Sequence, residues 1–108
     1  MKEISVVLVT AGNEEEAAKI GRTLVEEKLA ACANIVPRIR SIYRWKGEVH
    51  DEAESLLLIK TPTSLFPALQ ARVRELHSYE VPEITAFPLA HGLPDYLAWV
   101  VAETTPST

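Results

Sequence analysis

Residues 32–61 constrain this chain more than any other stretch. Two long runs of strand-forming residues meet at Trp45-Lys46-Gly47-Glu48. The first holds Ala33-Asn34-Ile35-Val36, then Ile39, Ile42, Tyr43 and Trp45; the second runs from Val49 through Leu56-Leu57-Leu58-Ile59-Lys60-Thr61. A glycine-containing turn between two such runs predicts a β-hairpin. Each arm is roughly a dozen residues or more, against about 5–6 in an ordinary strand. A hairpin of that length overhangs a small domain, and its edges have to be covered. Another copy of the same chain is the simplest cover. Pro37 cannot donate to a ladder, so a bulge or bend is expected in the first arm. The polar run His50-Asp51-Glu52-Ala53-Glu54 predicts a second irregularity.

The segments on either side build a sheet and helices around this hairpin. Residues 4–9 are apolar apart from Ser5, the pattern of a strand covered on both faces. Asn13 with Glu16 three residues on reads as a helix N-cap with a capping box. Ala17, Ile20, Gly21, Leu24 and Val25 then repeat at helical spacing, and the helix is expected to end near residues 28–30. Pro62 closes the second arm. Thr63 is expected to cap a second helix that buries Phe66, Leu69, Val73 and Leu76. Residues 77–82 form a connector, residues 83–89 a fourth strand at an edge, and Pro94 opens a short apolar helix. Residues 104–108 read as a frayed tail.

The order strand, helix, strand, strand, helix, strand, short helix is the split βαβ, ferredoxin-like α+β pattern. It predicts an antiparallel sheet with both main helices on one face, in one domain over residues 1–108. The first strand is nevertheless apolar on both sides. The bare face therefore predicts an oligomer independently of the hairpin.

Bulk properties exclude several function classes. The net charge is −4 and the isoelectric point about 5.3. Nucleic acids and anionic membranes are recognised mainly through Lys and Arg, so neither is an expected partner. One cysteine excludes an internal disulfide framework and a Cys-rich zinc module. No secretory leader is legible at residues 1–4 and no apolar run reaches ~18 residues, so the cytoplasm is the expected location. The four glycines form no phosphate loop, and no Ser/His/Asp set or carboxylate pair stands out, so no enzymatic activity is expected.

At Leu24-Val25-Glu26-Glu27-Lys28-Leu29-Ala30-Ala31-Cys32-Ala33-Asn34-Ile35 the sequence resembles the CutA1 family of divalent-cation-tolerance proteins. The resemblance continues through Ser41-Ile42-Tyr43-Arg44-Trp45-Lys46-Gly47-Glu48, Lys60-Thr61, His77-Ser78-Tyr79-Glu80-Val81-Pro82-Glu83 and Tyr96-Leu97-Ala98-Trp99. It implies a ferredoxin-like subunit, a tight homotrimer whose long strands pair across subunits, and a role in tolerance of copper or another divalent cation. Two positions depart from the family pattern, Ser78 and Gly12, each where proline is usual; both departures are expected to loosen a loop.

The same resemblance places Cys32 and His77 at positions implicated in metal binding. A thiolate suits Cu(I) and an imidazole Cu(II). Read from the residues alone, Cys32 among small apolar neighbours is equally a buried, inert thiol, and His77 at a helix end equally a C-terminal cap. A second candidate set is Tyr43, Trp45, Lys60, Tyr79 and Glu83. These residues would line a cleft at a subunit interface and hold a small polar ligand, or else bury at the contact with Lys60 paired to Glu83. Three functions follow: a trimeric metal-tolerance protein, a signalling trimer resembling the PII proteins, and a non-catalytic scaffold.

Overall fold

The computed structural model describes residues 2–106. Its elements are β1 (Ile4–Ala11), α1 (Glu14–Glu26), β2 (Cys32–Trp45), β3 (Glu48–Pro62), α2 (Phe66–Leu76), β4 (Ile84–Pro88) and α3 (Pro94–Glu103), with a single 3-10 turn, Thr63–Leu65, before α2. The four strands form one antiparallel sheet in the order β2-β3-β1-β4. This is the expected ferredoxin-like arrangement, with β4 at an edge.

One face of the sheet carries the main core. Val7, Val9 and Ala11 of β1 and Leu57 and Ile59 of β3 pack with Ala17, Ile20 and Leu24 of α1 and Leu69 and Val73 of α2. All are buried because side chains alternate across a strand, and this alternation sends one set beneath both helices. Gly21 permits the close approach of α1: a methyl group there would lie 3.1 Å from Ala33 Cβ and 3.2 Å from Leu57 Cδ2. The other face is not bare throughout. Val100 of α3 packs with Ile4 and Ala31, so the C-terminal helix covers one end of it.

The hairpin turns at Lys46 and Gly47, whose φ angles of 50° and 82° suit the twist of a two-residue connection. The arms contain 14 and 15 residues, whereas β1 contains 8. The β1 ladder stops at Ala11 opposite Ser55, so residues 48–54 of β3 extend past it. The protein is correspondingly elongated, 47 × 28 × 22 Å.

Several expectations are corrected. The bulge at Pro37 is present, between Val36 and Ile39, and Ser55 Oγ donates to the Pro37 carbonyl at 2.7 Å to hold it. The second irregularity is not: the ladder runs unbroken from Ile39 opposite Glu54 to Trp45 opposite Glu48. Helix α1 ends at Glu26, before residue 28, because Lys28 takes a left-handed φ of 61° and the amides of Leu29 and Ala30 close back on the Leu24 carbonyl. Thr63 does not cap α2; it opens the 3-10 turn, and its hydroxyl bonds Ser5 Oγ at 2.6 Å. Thr104 is not frayed, since its hydroxyl donates to the Val100 carbonyl at 2.8 Å and the residue is buried. The rest of that expected tail includes residues 107–108, which lie outside the described residues.

Candidate functional site: a cleft beside the overhanging hairpin

The overhang creates a cleft. Past the end of β1, the α2–β4 connector lies against the open side of the hairpin, leaving a cavity of about 610 Å³. Strand alternation supplies most of one wall, Ile39, Ser41, Tyr43 and Trp45 from β2 and Glu52, Glu54 and Leu56 from β3, with Ile42 also bordering it from between Ser41 and Tyr43. The connector supplies Tyr79, Glu80, Val81 and Glu83.

Tyrosine hydroxyls orient the carboxylates. Tyr79 donates to Glu54 Oε2 at 2.8 Å, and Tyr43 donates to Glu52 Oε2 at 2.9 Å while stacking on His50. Glu54 is 8% exposed. Burial, then the Glu54 carboxylate, pushes the Tyr79 phenol well above its ordinary range. At the mouth, Lys46 Nζ lies 5.5 Å from the centre of the Trp45 ring and 3.7 Å from Glu80 Oε2.

Four of the five residues expected in a cleft are therefore brought together: Tyr43, Trp45, Tyr79 and Glu83. The fifth, Lys60, lies apart from them within the chain. Lys60 pairs with Cys32 across the ladder, six residues up β3 from Glu54 and so about 20 Å along the strand. Its ammonium donates to Asn34 Oδ1, and Glu83 accepts from Thr85 instead. Sequence reasoning missed Glu52, Glu54 and Glu80. For Glu52 and Glu54 the signal is their alternation with Leu56 on one strand face; Glu80, on the connector, carries none.

His77 sits at the inner end of the connector with its side chain fully buried. Its Nε2–H donates to the Thr10 carbonyl at 2.7 Å, and its Nδ1 accepts the Tyr79 N–H at 3.1 Å. Both ring nitrogens are thus committed to backbone, which anchors the connector to the end of β1. Cys32 lies at the other end of the sheet. It is half-buried, and its thiol donates to Asn34 Oδ1 at 3.5 Å. Burial, and then the neighbouring Cys32 sulfur, raises the Tyr96 phenol above its ordinary value.

A metal bound by Cys32 and His77 of one chain does not fit this geometry. Thr10 lies opposite Leu56 and Cys32 opposite Lys60, a separation of about 13 Å along β3. The imidazole has no nitrogen to offer without breaking a backbone bond. Among the described residues, no three His, Cys, Asp or Glu side chains converge as a metal-binding group.

Comparison with known proteins places the fold and the sequence together. Residues 5–103 match the family model described as CutA1 divalent ion tolerance protein. The chain is 56% identical over 99 residues to a divalent-cation tolerance protein CutA of Thermus thermophilus, covering 92% of this chain and 96% of that one. It is 50% identical over 97 residues to protein CutA of Mus musculus, covering 90% of this chain but 55% of the mouse protein. A solved divalent cation tolerance protein from Thermus thermophilus superposes with a TM-score of 0.87 at 56% identity, over 90% of this chain and 94% of that one. The crystal structure of CutA1 from Oryza sativa superposes with a TM-score of 0.93 at 44% identity, over 98% and 97%.

Proposed function

The chain belongs to the CutA1 divalent ion tolerance family, and from that premise we propose that it works as a homotrimer in the response to divalent metal ions, copper among them, without catalysing a reaction. The observation that carries this reading is the overhang. Residues 48–54 of β3 have no β1 partner, and Ile42 and Val49 on it are each 64% exposed. An uncovered strand with exposed aliphatic side chains is a surface that another copy of the chain satisfies.

For the metal, support comes from Cys32, a soft donor that is only half-buried. With His77 held by backbone, further ligands in this reading come from other copies or from solvent. Binding is therefore weak in an isolated subunit and depends on assembly.

Native mass spectrometry with and without Cu(II) tests both parts. The expected result is a trimer that takes up copper, with uptake abolished by Cys32→Ser while the trimer persists. A monomer overturns the assembly. A trimer that stays metal-free, or a Cys32→Ser trimer that binds copper as before, overturns the copper part alone.

A further inference from the structure

We propose that the connector between α2 and β4, residues 77–83, is an acid-released strap. His77 is its latch, and Glu16 takes the latch over when the imidazole gains a proton. The device stands on contacts within one chain, so it requires neither a second copy nor a metal.

With a neutral imidazole the strap is tied at every step. The His77 side chain is completely buried. Its Nε2–H donates to the Thr10 carbonyl at 2.7 Å, which leaves Nδ1 bare, and Nδ1 accepts the Tyr79 N–H at 3.1 Å. Glu16 Oε2 stands 3.8 Å from the same Nδ1 and accepts the Ser78 N–H at 2.8 Å. The Tyr79 ring packs against the imidazole with ring centres 4.6 Å apart, and its hydroxyl donates to Glu54 at 2.8 Å. His77, Ser78 and Tyr79 in succession are thus held to β1, α1 and β3.

An added proton has one place to go. Nε2 already carries a hydrogen, so the proton binds Nδ1 and turns that atom from acceptor into donor. The Tyr79 N–H then faces another donor, and its hydrogen bond is lost. The new Nδ1–H points toward the Glu16 carboxylate, a charge-assisted partner that a small shift of the ring brings into bonding range.

The surrounding groups favour this exchange. Glu16 faces the ring from α1. Burial works to raise its carboxyl, but the bonds from Ser78 and Gly12 and the nearby His77 hold it below its ordinary 4.5, so it is an anion where imidazoles titrate. β1 presents the Thr10 carbonyl, and the Glu54 carboxylate of β3 is reached through the Tyr79 hydroxyl. Burial, then Glu54, raises the Tyr79 phenol, which therefore stays a donor throughout. The C-terminus of α2, where the His77 N–H bonds the Val73 carbonyl, favours a cation. Arg74 and Glu75 in its last turn are exposed. Acid therefore loosens the strap at Tyr79 while β1 and the helices hold.

The test uses the intact protein in its native assembly, with EDTA present, titrated from about pH 8 to about pH 5, the span in which imidazoles ordinarily change charge. Long-range proton–nitrogen NMR correlations read the His77 tautomer and its protonation. Amide hydrogen exchange, corrected for its intrinsic pH dependence, reads the connector. At the alkaline end Nδ1 is expected to be bare. As it gains its proton, protection of the Tyr79 amide is expected to fall about two- to ten-fold with the same midpoint, the contribution of one hydrogen bond. The Val7 amide in β1 is expected to keep its protection. Glu16→Gln is expected to move the midpoint to lower pH, because the imidazolium loses its carboxylate. His77→Asn, whose side-chain oxygen stands in for Nδ1 without titrating, is expected to make Tyr79 protection independent of pH across the span. If that variant does not fold, the parent titration and Glu16→Gln decide. A proton on Nδ1 at the alkaline end overturns the proposal, as does a His77 that stays neutral to the acid end. So does Tyr79 protection that is unchanged as His77 titrates, a loss that spreads equally to Val7, or a midpoint that is unmoved or raised in Glu16→Gln.

Discussion

The backbone N–H of Ser78 donates to the Glu16 carboxylate at 2.8 Å, joining positions 62 residues apart. The other carboxylate oxygen accepts the Gly12 N–H at 3.3 Å. Ser78 and Gly12 are the two positions where proline is usual in the family pattern, and proline has no N–H to donate. The departures therefore do not merely loosen two loops; they place two donors on one carboxylate and tie the start of α1 to the connector behind the cleft.

Replacing Glu16 is expected to change how the protein responds to acid. Burial works to raise the Glu16 carboxyl, but the hydrogen bonds from Ser78 and Gly12 and the nearby His77 outweigh it and hold the pKa below its ordinary 4.5. A depressed folded-state pKa gives stability that is complete above the unfolded value and is lost as pH falls through the folded one. Glu16→Gln should cost about 1–3 kcal/mol at neutral pH and flatten the decline below the ordinary carboxylate range. Urea unfolding of both proteins at descending pH checks this; parallel acid limbs would reject it.

Tyr79→Phe probes the opposite end of the pH scale. Its hydroxyl is the donor to Glu54, a carboxylate only 8% exposed. Deleting the donor should cost about 1–3 kcal/mol. The phenol is raised above its ordinary 10.0, so its contribution is complete below pH 10 and lost as pH rises beyond. Thermal melts of parent and variant should differ at neutral pH and converge on the alkaline side; a constant gap across that range would count against the assignment.

The fold was legible because its signals are local or periodic. The glycine turn, Pro37, the Asn13 N-cap and the spacing of Leu69 and Val73 each act within a few residues, whereas the expected return bond of a capping box is replaced, the Glu16 carboxylate accepting from Gly12 and Ser78. The site was only half legible, because it depends on register. Within one chain Trp45 and Tyr79 share the cleft, whereas the strand carries Lys60 about 20 Å from Glu54, and a cleft shared between subunits depends on how the long strands pair. His77 was read by its chemistry as a ligand or a cap. Its actual role depends on the Thr10 carbonyl and the Tyr79 amide, backbone groups whose approach no residue type announces.

Ser55→Ala should weaken the hairpin at its bulge. Ser55 is 1% exposed, and its hydroxyl satisfies the Pro37 carbonyl where the ladder skips between Val36 and Ile39. The loss is expected to be about 1 kcal/mol. Amide hydrogen exchange should show faster exchange at residues flanking the bulge than in β1; uniform acceleration across the sheet would mean that Ser55 supports the core rather than the bulge.

The assembly prediction rests on the overhang face that carries Ile42 and Val49. Ile42 lies opposite Asp51 and Arg44 opposite Val49, so strand alternation puts Ile42 and Val49 diagonally adjacent on the face away from Tyr43 and Trp45. Covering two such side chains contributes about 1.5–3 kcal/mol each per subunit. The double substitution Ile42→Glu, Val49→Glu reverses that gain and sets like charges together, while leaving the buried Leu57–Ile59 core intact. Light scattering after size exclusion should show the parent as a trimer and the variant as a folded monomer at micromolar concentration, with unchanged far-ultraviolet circular dichroism. A variant that remains trimeric would free this face from the interface and leave the unpaired edge of residues 48–54 to close the assembly alone.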